Sequence, residues 1–219
     1  MCGKDQAGQR YPEGKAANTA ALRQELGLPE ATGPLCVVVS RLTSQKGLDL
    51  LLEALPTLLG HGGQLALLGS GERWMESAFQ AAAQGVGVAV RIGYDEALSH
   101  RLIAGGDAIL VPSRFEPCGL TQMYGLRYGT IPVVALTGGL ADTVIHASPA
   151  ALAAGVATGL QFNPVSADAL RLALVRLCEL FADRPTWARM QRNAMAQPVG
   201  WENSARAYAR LFRALVVAE

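Results

Sequence analysis

The chain has 219 residues, half of them hydrophobic, so it is long enough to form one domain with a sizeable core. Nineteen basic against eighteen acidic residues give a formal net charge of +1, which excludes an overall field that would attract nucleic acid or an anionic membrane surface. The longest apolar runs, such as residues 35–39, are far shorter than the roughly 18 residues of a membrane-spanning helix. Because the chain does not open on a charged and then apolar segment, we also expect no leader sequence. We therefore expect a cytoplasmic protein, with neither nucleic acid nor a membrane among its partners.

The predicted elements alternate between strands and helices along most of the chain. Short runs rich in Val, Ile and Leu are followed by longer segments with helical spacing, which is typical of βαβ units. After a polar segment at 1–14, expected to be flexible, we predict strands at 35–39, 65–68, 88–92, 108–111, 131–135 and 160–162. The helices predicted between them lie at 15–26, 48–59, 72–84, 96–104, 120–128 and 140–145.

The C-terminal part of the chain has a different pattern. Residues 149–159 are rich in Ala and Gly and are expected to form a loop or a frayed helix, and three further helices are predicted at 167–181, 185–195 and 202–217. Sequential parallel strands joined by right-handed helical crossovers form a doubly wound sheet with both faces covered. The predicted fold class is therefore α/β, with a doubly wound, Rossmann-like parallel sheet and a helical C-terminal tail, and residues 15–219 are expected to form one domain.

Residues 112–122, with the sequence PSRFEPCGLTQ, follow a predicted strand and open a predicted helix. They place the carboxylate of Glu116 and the free amides of a helix's first turn at the carboxyl end of a parallel strand, where open α/β sheets bind ligands. Such amides suit a phosphate, so the segment predicts a site for a phosphorylated ligand. Two alternatives remain: Glu116 can merely help to cap the helix, and Cys118 can be a packing residue, because no histidine can be placed beside it as a base.

Arg41 and Lys46 lie five positions apart on the turn that follows the first predicted strand. Arginine offers phosphate a planar fork and lysine adds a compact charge, so the two cations together suit a diphosphate. Solvated charges on an ordinary surface loop are the alternative. Because these cations can serve as counterions, we expect no metal and no other cofactor. The four cysteines contain no CxxC pair and suggest neither a zinc site nor a disulfide framework.

Three further turns end predicted strands on the same edge of the sheet. Gly69 and Gly71 precede one predicted helix, and Gly138 and Gly139 precede another. Each pair allows backbone to approach a ligand closely, or simply forms a tight turn. Tyr94 can stack on a nucleobase or be a rim residue without a ligand. The full GxGxxG and GxxxxGK[ST] motifs are both absent, so the sequence disfavours the NAD-binding and P-loop classes.

In combination, these blocks resemble the bacterial glycogen synthase and plant starch synthase family. The matching segments are 40–50, 69–71, 91–94, 112–122, 137–144 and 201–202, and the resemblance extends from about residue 15 to the C-terminus. Members of that family are retaining glucosyltransferases of the GT-B fold, in which two Rossmann-like domains face a cleft. The resemblance implies that this chain is the C-terminal, nucleotide-binding domain of an enzyme that transfers glucose from ADP-glucose to the nonreducing end of an α-1,4-glucan.

The resemblance also implies a role for each candidate residue. Arg41 and Lys46 would hold the donor diphosphate and, with Glu116 beside the glucose ring, would form the catalytic set. Tyr94 would lie against the adenine. The remaining donor contacts would come from Gly69, Gly71, Cys118, Gly119, Leu120, Thr121, Gly138 and Gly139. Related retaining enzymes carry a second glutamate eight positions after the first, where this chain has Tyr124, so the ribose contact of those relatives is not carried over.

The implied partners are ADP or ADP-glucose, an α-1,4-glucan such as glycogen, and an N-terminal domain that nothing before residue 35 supplies. We therefore expect the isolated chain to bind nucleotide weakly and to be catalytically inactive. The helix within 200–219 is expected to reach the partner domain or to dock on another copy. Two other functions remain open. The chain can be the donor domain of a retaining glycosyltransferase that uses a UDP- or GDP-sugar, or a noncatalytic nucleotide- or glucan-binding module.

Overall fold

Six parallel strands form one sheet in the computed structural model, which describes residues 13–216. In chain order the strands are β1 (Leu35–Val39), β2 (Gln64–Gly69), β3 (Val88–Ile92), β4 (Ala108–Val111), β5 (Ile131–Ala135) and β6 (Leu160–Phe162). Their order in the sheet is β3-β2-β1-β4-β5-β6, so the chain winds outward from β1 to β3 and then returns to continue on the other side of β1. This is the predicted doubly wound, Rossmann-like arrangement, with its reversal point between β1 and β4.

Helices connect the strands and cover both faces of the sheet. They are α1 (Glu13–Leu26), α2 (Leu48–Gly60), α3 (Arg73–Ala82), α4 (Glu96–Gly105), α5 (Thr121–Tyr128), α6 (Gly138–Thr143), α7 (Pro149–Ala153), α8 (Ala167–Ala182), α9 (Arg184–Met195) and α10 (Trp201–Val216). Within the described residues, every predicted strand end is correct to one residue and every predicted helix end to two. The predicted flexible segment lies outside the described residues up to position 12, and its last two residues begin α1.

Two short helices differ from the sequence prediction. The first turn of α6 includes Gly138 and Gly139, which were expected to precede the helix. α7 occupies part of the segment expected to be a loop or a frayed helix, and Ser148 caps it by accepting a hydrogen bond from the Ala151 amide at 3.2 Å. Short helices of this kind depend on caps and neighbouring loops, so hydrophobic periodicity alone locates them poorly.

Residues along β1 alternate between two hydrophobic layers. Cys36 and Val38 belong to the layer formed with α2, α3, α8 and α9, whereas Leu35 and Val37 belong to the layer formed with α1 and α4. All four side chains are fully buried. The strand is therefore an unbroken apolar run, as expected where helices cover both faces of a parallel sheet. Burial on both sides holds the carboxyl ends of the central strands in place.

Lys15 of α1 is a buried cation at the amino edge of the sheet. Its Nζ donates hydrogen bonds to the carbonyl oxygens of Ile103 at 3.3 Å and Ala104 at 2.9 Å, and to Thr130 Oγ1 at 2.5 Å. These carbonyls end α4, so the ammonium satisfies groups that the helix leaves unpaired at its negative end. Burial lowers the pKa of Lys15 to about 7, and the attraction of the Asp107 carboxylate opposes this shift only in part.

Replacing Lys15 by methionine is expected to remove a pH dependence of stability. The pKa of Lys15 is about 7 in the folded chain and about 10.5 when exposed, so between these values the unfolded state binds more protons. The free energy of unfolding therefore rises with pH in this range. From pH 7 to 8.5 the free energy of unfolding of the wild type, measured with urea, should rise by about 1 to 2 kcal/mol more than that of Lys15→Met. Equal pH slopes in the two proteins would contradict the burial of a titrating Lys15.

Candidate functional site

The candidate site lies at the carboxyl ends of β1 and β4, the adjacent strands between which the winding reverses. Open parallel sheets bind ligands at this point because the loops after the two strands turn toward opposite faces and leave a crevice. The loop after β1 carries Lys46, and the loop after β4 carries Glu116. Lys46 Nζ lies 2.6 Å from Glu116 Oε2, with the two side chains 19% and 12% exposed. The fold thus brings together two predicted site residues that are 70 positions apart.

Ser113 supplies a second hydrogen bond to the same carboxylate. Its hydroxyl donates to Glu116 Oε2 at 3.1 Å, and the residue is buried. Ser113, Lys46 and Glu116 line one pocket together with Thr121 at the start of α5. Sequence reasoning did not single out Ser113, although its position three residues before Glu116 on a turn was a usable signal. The carboxylate is therefore fixed toward the pocket by an ammonium and a hydroxyl.

The helices that follow the four central strands begin without a side-chain cap. The N-cap residues of α2, α3, α5 and α6 make no side-chain hydrogen bond to the first turn of their helix. By contrast, α4 and α8, which follow the outer strands, are capped by the side chains of Asp95 and Ser166. The first-turn amides of an uncapped helix can bind an anion, and the positive ends of the helix dipoles point the same way. The centre of this edge is therefore suited to a phosphate.

Four of the predicted glycines pack closely against neighbouring backbone. A Cβ built on Gly69 or Gly71 would lie 1.9 or 2.2 Å from a carbonyl oxygen in the loop after β1. A Cβ built on Gly138 or Gly139 would lie 2.1 or 2.3 Å from a carbonyl oxygen in the segment 116–118. No side chain fits in these gaps. The four glycines therefore hold the loops that carry Lys46 and Glu116 against the loops on either side.

Gln122 connects the turn before α5 to α6, and sequence reasoning missed it. Its fully buried Nε2 donates to the carbonyl oxygens of Cys118 at 3.1 Å and Gly119 at 2.9 Å, and to Thr143 Oγ1 at 3.2 Å. Gly119 has a φ of 72°, a conformation that favours glycine, and it lies directly over the Gln122 amide. Cys118 and Leu120 are exposed on this turn. A glutamine on a predicted helix gives no sequence signal of such burial.

Arg41 and Tyr94 are exposed and take no part in the contact between Lys46 and Glu116. Arg41 is exposed on the loop after β1, and it takes part in none of the ion pairs between described residues. Tyr94 follows β3 and is 87% exposed. β3 is two strands from β1, a separation of about 10 Å at the usual strand spacing. The aromatic ring therefore lies on the same edge of the sheet as the cations.

The cysteines are free thiols in the part of the chain that the structure describes, which excludes Cys2. Burial raises the pKa of Cys36, and it raises the pKa of Cys178 to about 11, so both thiols stay protonated at neutral pH. No cluster of three or more His, Cys, Asp or Glu side chains that could hold a metal ion occurs among residues 13–216. None of the helices in that range has the length and apolar character needed to cross a bilayer.

Fold and site together define a Rossmann-like domain that is suited to an anionic ligand at its reversal point. Residues 19–196 match the family described as glycosyl transferases group 1. Because the match covers most of the chain, the chain belongs to that family.

Individual proteins to which the chain is similar include glycogen and starch synthases. The chain is 71% identical over 205 residues to the glycogen synthase of Paracoccus denitrificans (strain Pd 1222) and 66% identical over 203 residues to that of Jannaschia sp. (strain CCS1). These alignments cover 93% and 92% of this chain but 44% and 43% of those proteins. The catalytic domain of starch synthase IV from Arabidopsis thaliana, solved with ADP and acarbose, matches with a TM-score of 0.84 at 36% identity, over 91% of this chain and 42% of that one.

These comparisons confirm the predicted resemblance to glycogen and starch synthases and the predicted fold class. The chain spans less than half the length of the curated relatives it matches.

Replacing Gly139 by alanine is expected to separate α6 from the turn before α5. The added methyl would lie 2.3 Å from the Cys118 carbonyl oxygen, and overpacking of this kind typically costs about 1 to 3 kcal/mol. Urea unfolding should show a loss of that size. Gly60→Ala is the matched control, because a Cβ there meets nothing within 4 Å and should leave stability unchanged or slightly higher. Wild-type stability in Gly139→Ala would contradict the described packing.

Proposed function

We propose that the chain is the donor-binding domain of a glycogen synthase, which acts in the cytoplasm and transfers glucose from ADP-glucose to the nonreducing end of an α-1,4-glucan with retention of configuration. The observation that carries the proposal is the pair of Lys46 and Glu116, 2.6 Å apart beside the uncapped start of α5. Similarity to glycogen synthases over 93% of the chain supports the activity. The ADP in the starch synthase IV structure supports the nucleotide.

The energetic task in such a transfer is to stabilise a departing diphosphate. In this proposal Lys46 and Arg41 act as its counterions, and the first-turn amides of α5, together with the turn formed by Cys118, Gly119, Leu120 and Thr121, bind phosphate oxygens. Preorganised donors of this kind need little rearrangement as charge develops, and losing one typically costs about 3 to 4 kcal/mol of transition-state stabilisation. The absence of a strong overall charge is then no obstacle, because the attraction is local.

Glu116 changes partner in the proposed cycle. In the structure its carboxylate holds Lys46 and accepts a hydrogen bond from Ser113. When a diphosphate takes over Lys46, Glu116 keeps Ser113 and is free to face the glucose hydroxyls and the positive charge that develops at the sugar. The ion pair thus keeps both groups beside the pocket.

The nucleoside would lie across the sheet edge from β1 toward β3. Tyr94 is exposed there and can stack on the adenine. Gly69 and Gly71 lie between these positions, so their backbone can approach the ribose closely. Gly138 and Gly139, by contrast, would contribute by holding the segment 116–118 from the other side.

The proposal also assigns α10 to the interface with an N-terminal domain. Its apolar side chains recur on one face and are each more than half exposed: Trp201, Tyr208, Leu211, Phe212 and Leu215. The rings of Trp201, Tyr208 and Phe212 lie in a row, with neighbouring centroids 6.4 and 6.1 Å apart. A continuous apolar face of this kind marks an interaction surface. The partner domain would also supply the glucan-facing wall of the cleft, so the chain alone is expected to lack turnover.

Calorimetric titration of this chain with ADP and UDP tests the donor site. Wild type should prefer ADP, and Lys46→Ala should bind it at least tenfold more weakly, since a charge-assisted hydrogen bond contributes about 1.5 to 3 kcal/mol. Glu116→Gln should bind ADP several-fold more tightly, because the substitution frees Lys46 and removes a negative charge that repels the phosphates. Two unit charges about 4 Å apart in water interact with about 1 kcal/mol. Absence of ADP binding would contradict the proposal, and a preference for UDP would assign a different donor.

Association with the part of the Paracoccus denitrificans glycogen synthase that lies outside its alignment with this chain tests the role of α10. Wild type should bind it, and Phe212→Glu should weaken binding at least tenfold without lowering the thermal midpoint, because Phe212 is 59% exposed. Leu172→Glu on α8 is the matched control, since Leu172 is 72% exposed but lies on another helix. Equal binding by all three proteins would contradict this interface, and wild-type self-association lost in Phe212→Glu would indicate a second copy instead.

A further inference from the structure

Arg114 connects the two loops that carry Lys46 and Glu116. Its Nη1 and Nη2 donate to Asp49 Oδ1 at 2.7 Å and Oδ2 at 2.6 Å, which forms a bidentate fork, and Nη1 also donates to the Ser44 carbonyl oxygen at 2.5 Å. Asp49 lies in the first turn of α2, and Ser44 begins the 3₁₀ turn that ends at Lys46. The guanidinium therefore holds the chain on both sides of Lys46.

Backbone contacts between the same two loops make the alignment specific. The Arg114 amide donates to the Gln45 carbonyl oxygen at 2.9 Å, and Gln45 Nε2 donates to the Phe115 carbonyl oxygen at 3.4 Å. Gly47 has a φ of 67°, and a Cβ built on it would lie 1.9 Å from the Pro112 carbonyl oxygen. The loop after β1 thus rests along the loop after β4, and a shift of one against the other would move Lys46 away from Glu116.

The fork also controls the charge beside the site. Asp49 is three positions from Lys46, and its hydrogen bonds from Arg114 hold the pKa of its carboxyl below the usual range. An Asp49 carboxylate without Arg114 would attract the Lys46 ammonium and draw it away from the pocket. Three of the five N–H donors of Arg114 are engaged by Asp49 and Ser44, and Asp49 compensates its charge, so the guanidinium is held as a bridge between the two loops.

We infer that Arg114 and Asp49 are positioning residues for the donor diphosphate: their ion pair fixes the loop after β1 so that Lys46 faces the pocket, and it keeps the Asp49 carboxylate from drawing Lys46 away. The inference rests on the proposed function, because it concerns the ligand of Lys46. Arg114 acts through Lys46, so its contribution to nucleotide binding depends on the lysine being present.

A double-mutant cycle measured by ADP titration tests this dependence. Arg114→Ala alone should weaken ADP binding about tenfold, whereas adding it to Lys46→Ala should change the affinity by less than twofold. Arg114→Lys should fall between wild type and Arg114→Ala, because lysine keeps the charge but not the fork. Hydrogen exchange without nucleotide should be faster at the Ser44 to Lys46 amides in Arg114→Ala. A structural role without consequence for Lys46 would not produce the coupling.

Arg101→Ala is the matched control. Arg101 makes a comparable bidentate fork with Glu25 between α4 and α1, and removing it should leave ADP affinity unchanged. If Arg114→Ala does not fold, Asp49→Asn removes the ion pair with a side chain of the same shape and should weaken ADP binding in the same Lys46-dependent way.

The outcomes separate this inference from the proposed function. A wild-type chain that does not bind ADP would overturn the proposed function and the inference with it. Wild-type ADP binding that is unchanged in Arg114→Ala would overturn the inference alone. Additive losses in Arg114→Ala and Lys46→Ala would also overturn it, because Arg114 would then bind the phosphate independently.

Discussion

Direct contact between the backbones of adjacent loops is the constraint on which the candidate site depends. Gly69 meets the Ser40 carbonyl oxygen, Gly47 meets that of Pro112, and Gly139 meets that of Cys118. These contacts follow the strand order β2-β1-β4-β5, so each loop rests on the next where its strand ends. A side chain at any of these glycines would force the loops apart. Four loops thereby become one rigid edge, and charged groups far apart in sequence are held at hydrogen-bonding distance.

Two ion pairs lie along this rigid edge. Lys46 is paired with Glu116 and Arg114 with Asp49, so the loops around the uncapped start of α5 contain two cations whose charge is already compensated. A diphosphate carries more charge than the single carboxylate it would displace from Lys46, and the helix-terminal amides favour it further. The net charge of +1 over the whole chain therefore says little about affinity for anions. The local arrangement determines it.

Most of the fold could be predicted because short stretches of sequence indicate where its strands and helices begin and end. Apolar runs mark buried strands, and glycine or proline marks where helices stop. Lys46 and Glu116 could also be placed on one edge, since carboxyl ends of parallel strands share an edge. The contacts of Arg114 and Gln122 could not be predicted, because the sequence does not distinguish a polar side chain that binds a ligand from one that binds another loop. The partner of Arg114 is 65 positions away, and only the register between two loops brings Asp49 within reach.

Side chains satisfy backbone groups at the amino edge of the sheet but do not cap the central helices at its carboxyl edge. At the amino edge, Lys15 satisfies the last carbonyls of α4, and Asp107 accepts a hydrogen bond from the Leu35 amide at 2.8 Å. At the carboxyl edge, the helices after the central strands begin with no side-chain cap. A missing cap typically costs about 1 kcal/mol of stability, and an anion that binds those amides would recover it by favouring the folded state. The amino edge therefore contributes stability, whereas the carboxyl edge leaves first-turn amides available to an anion.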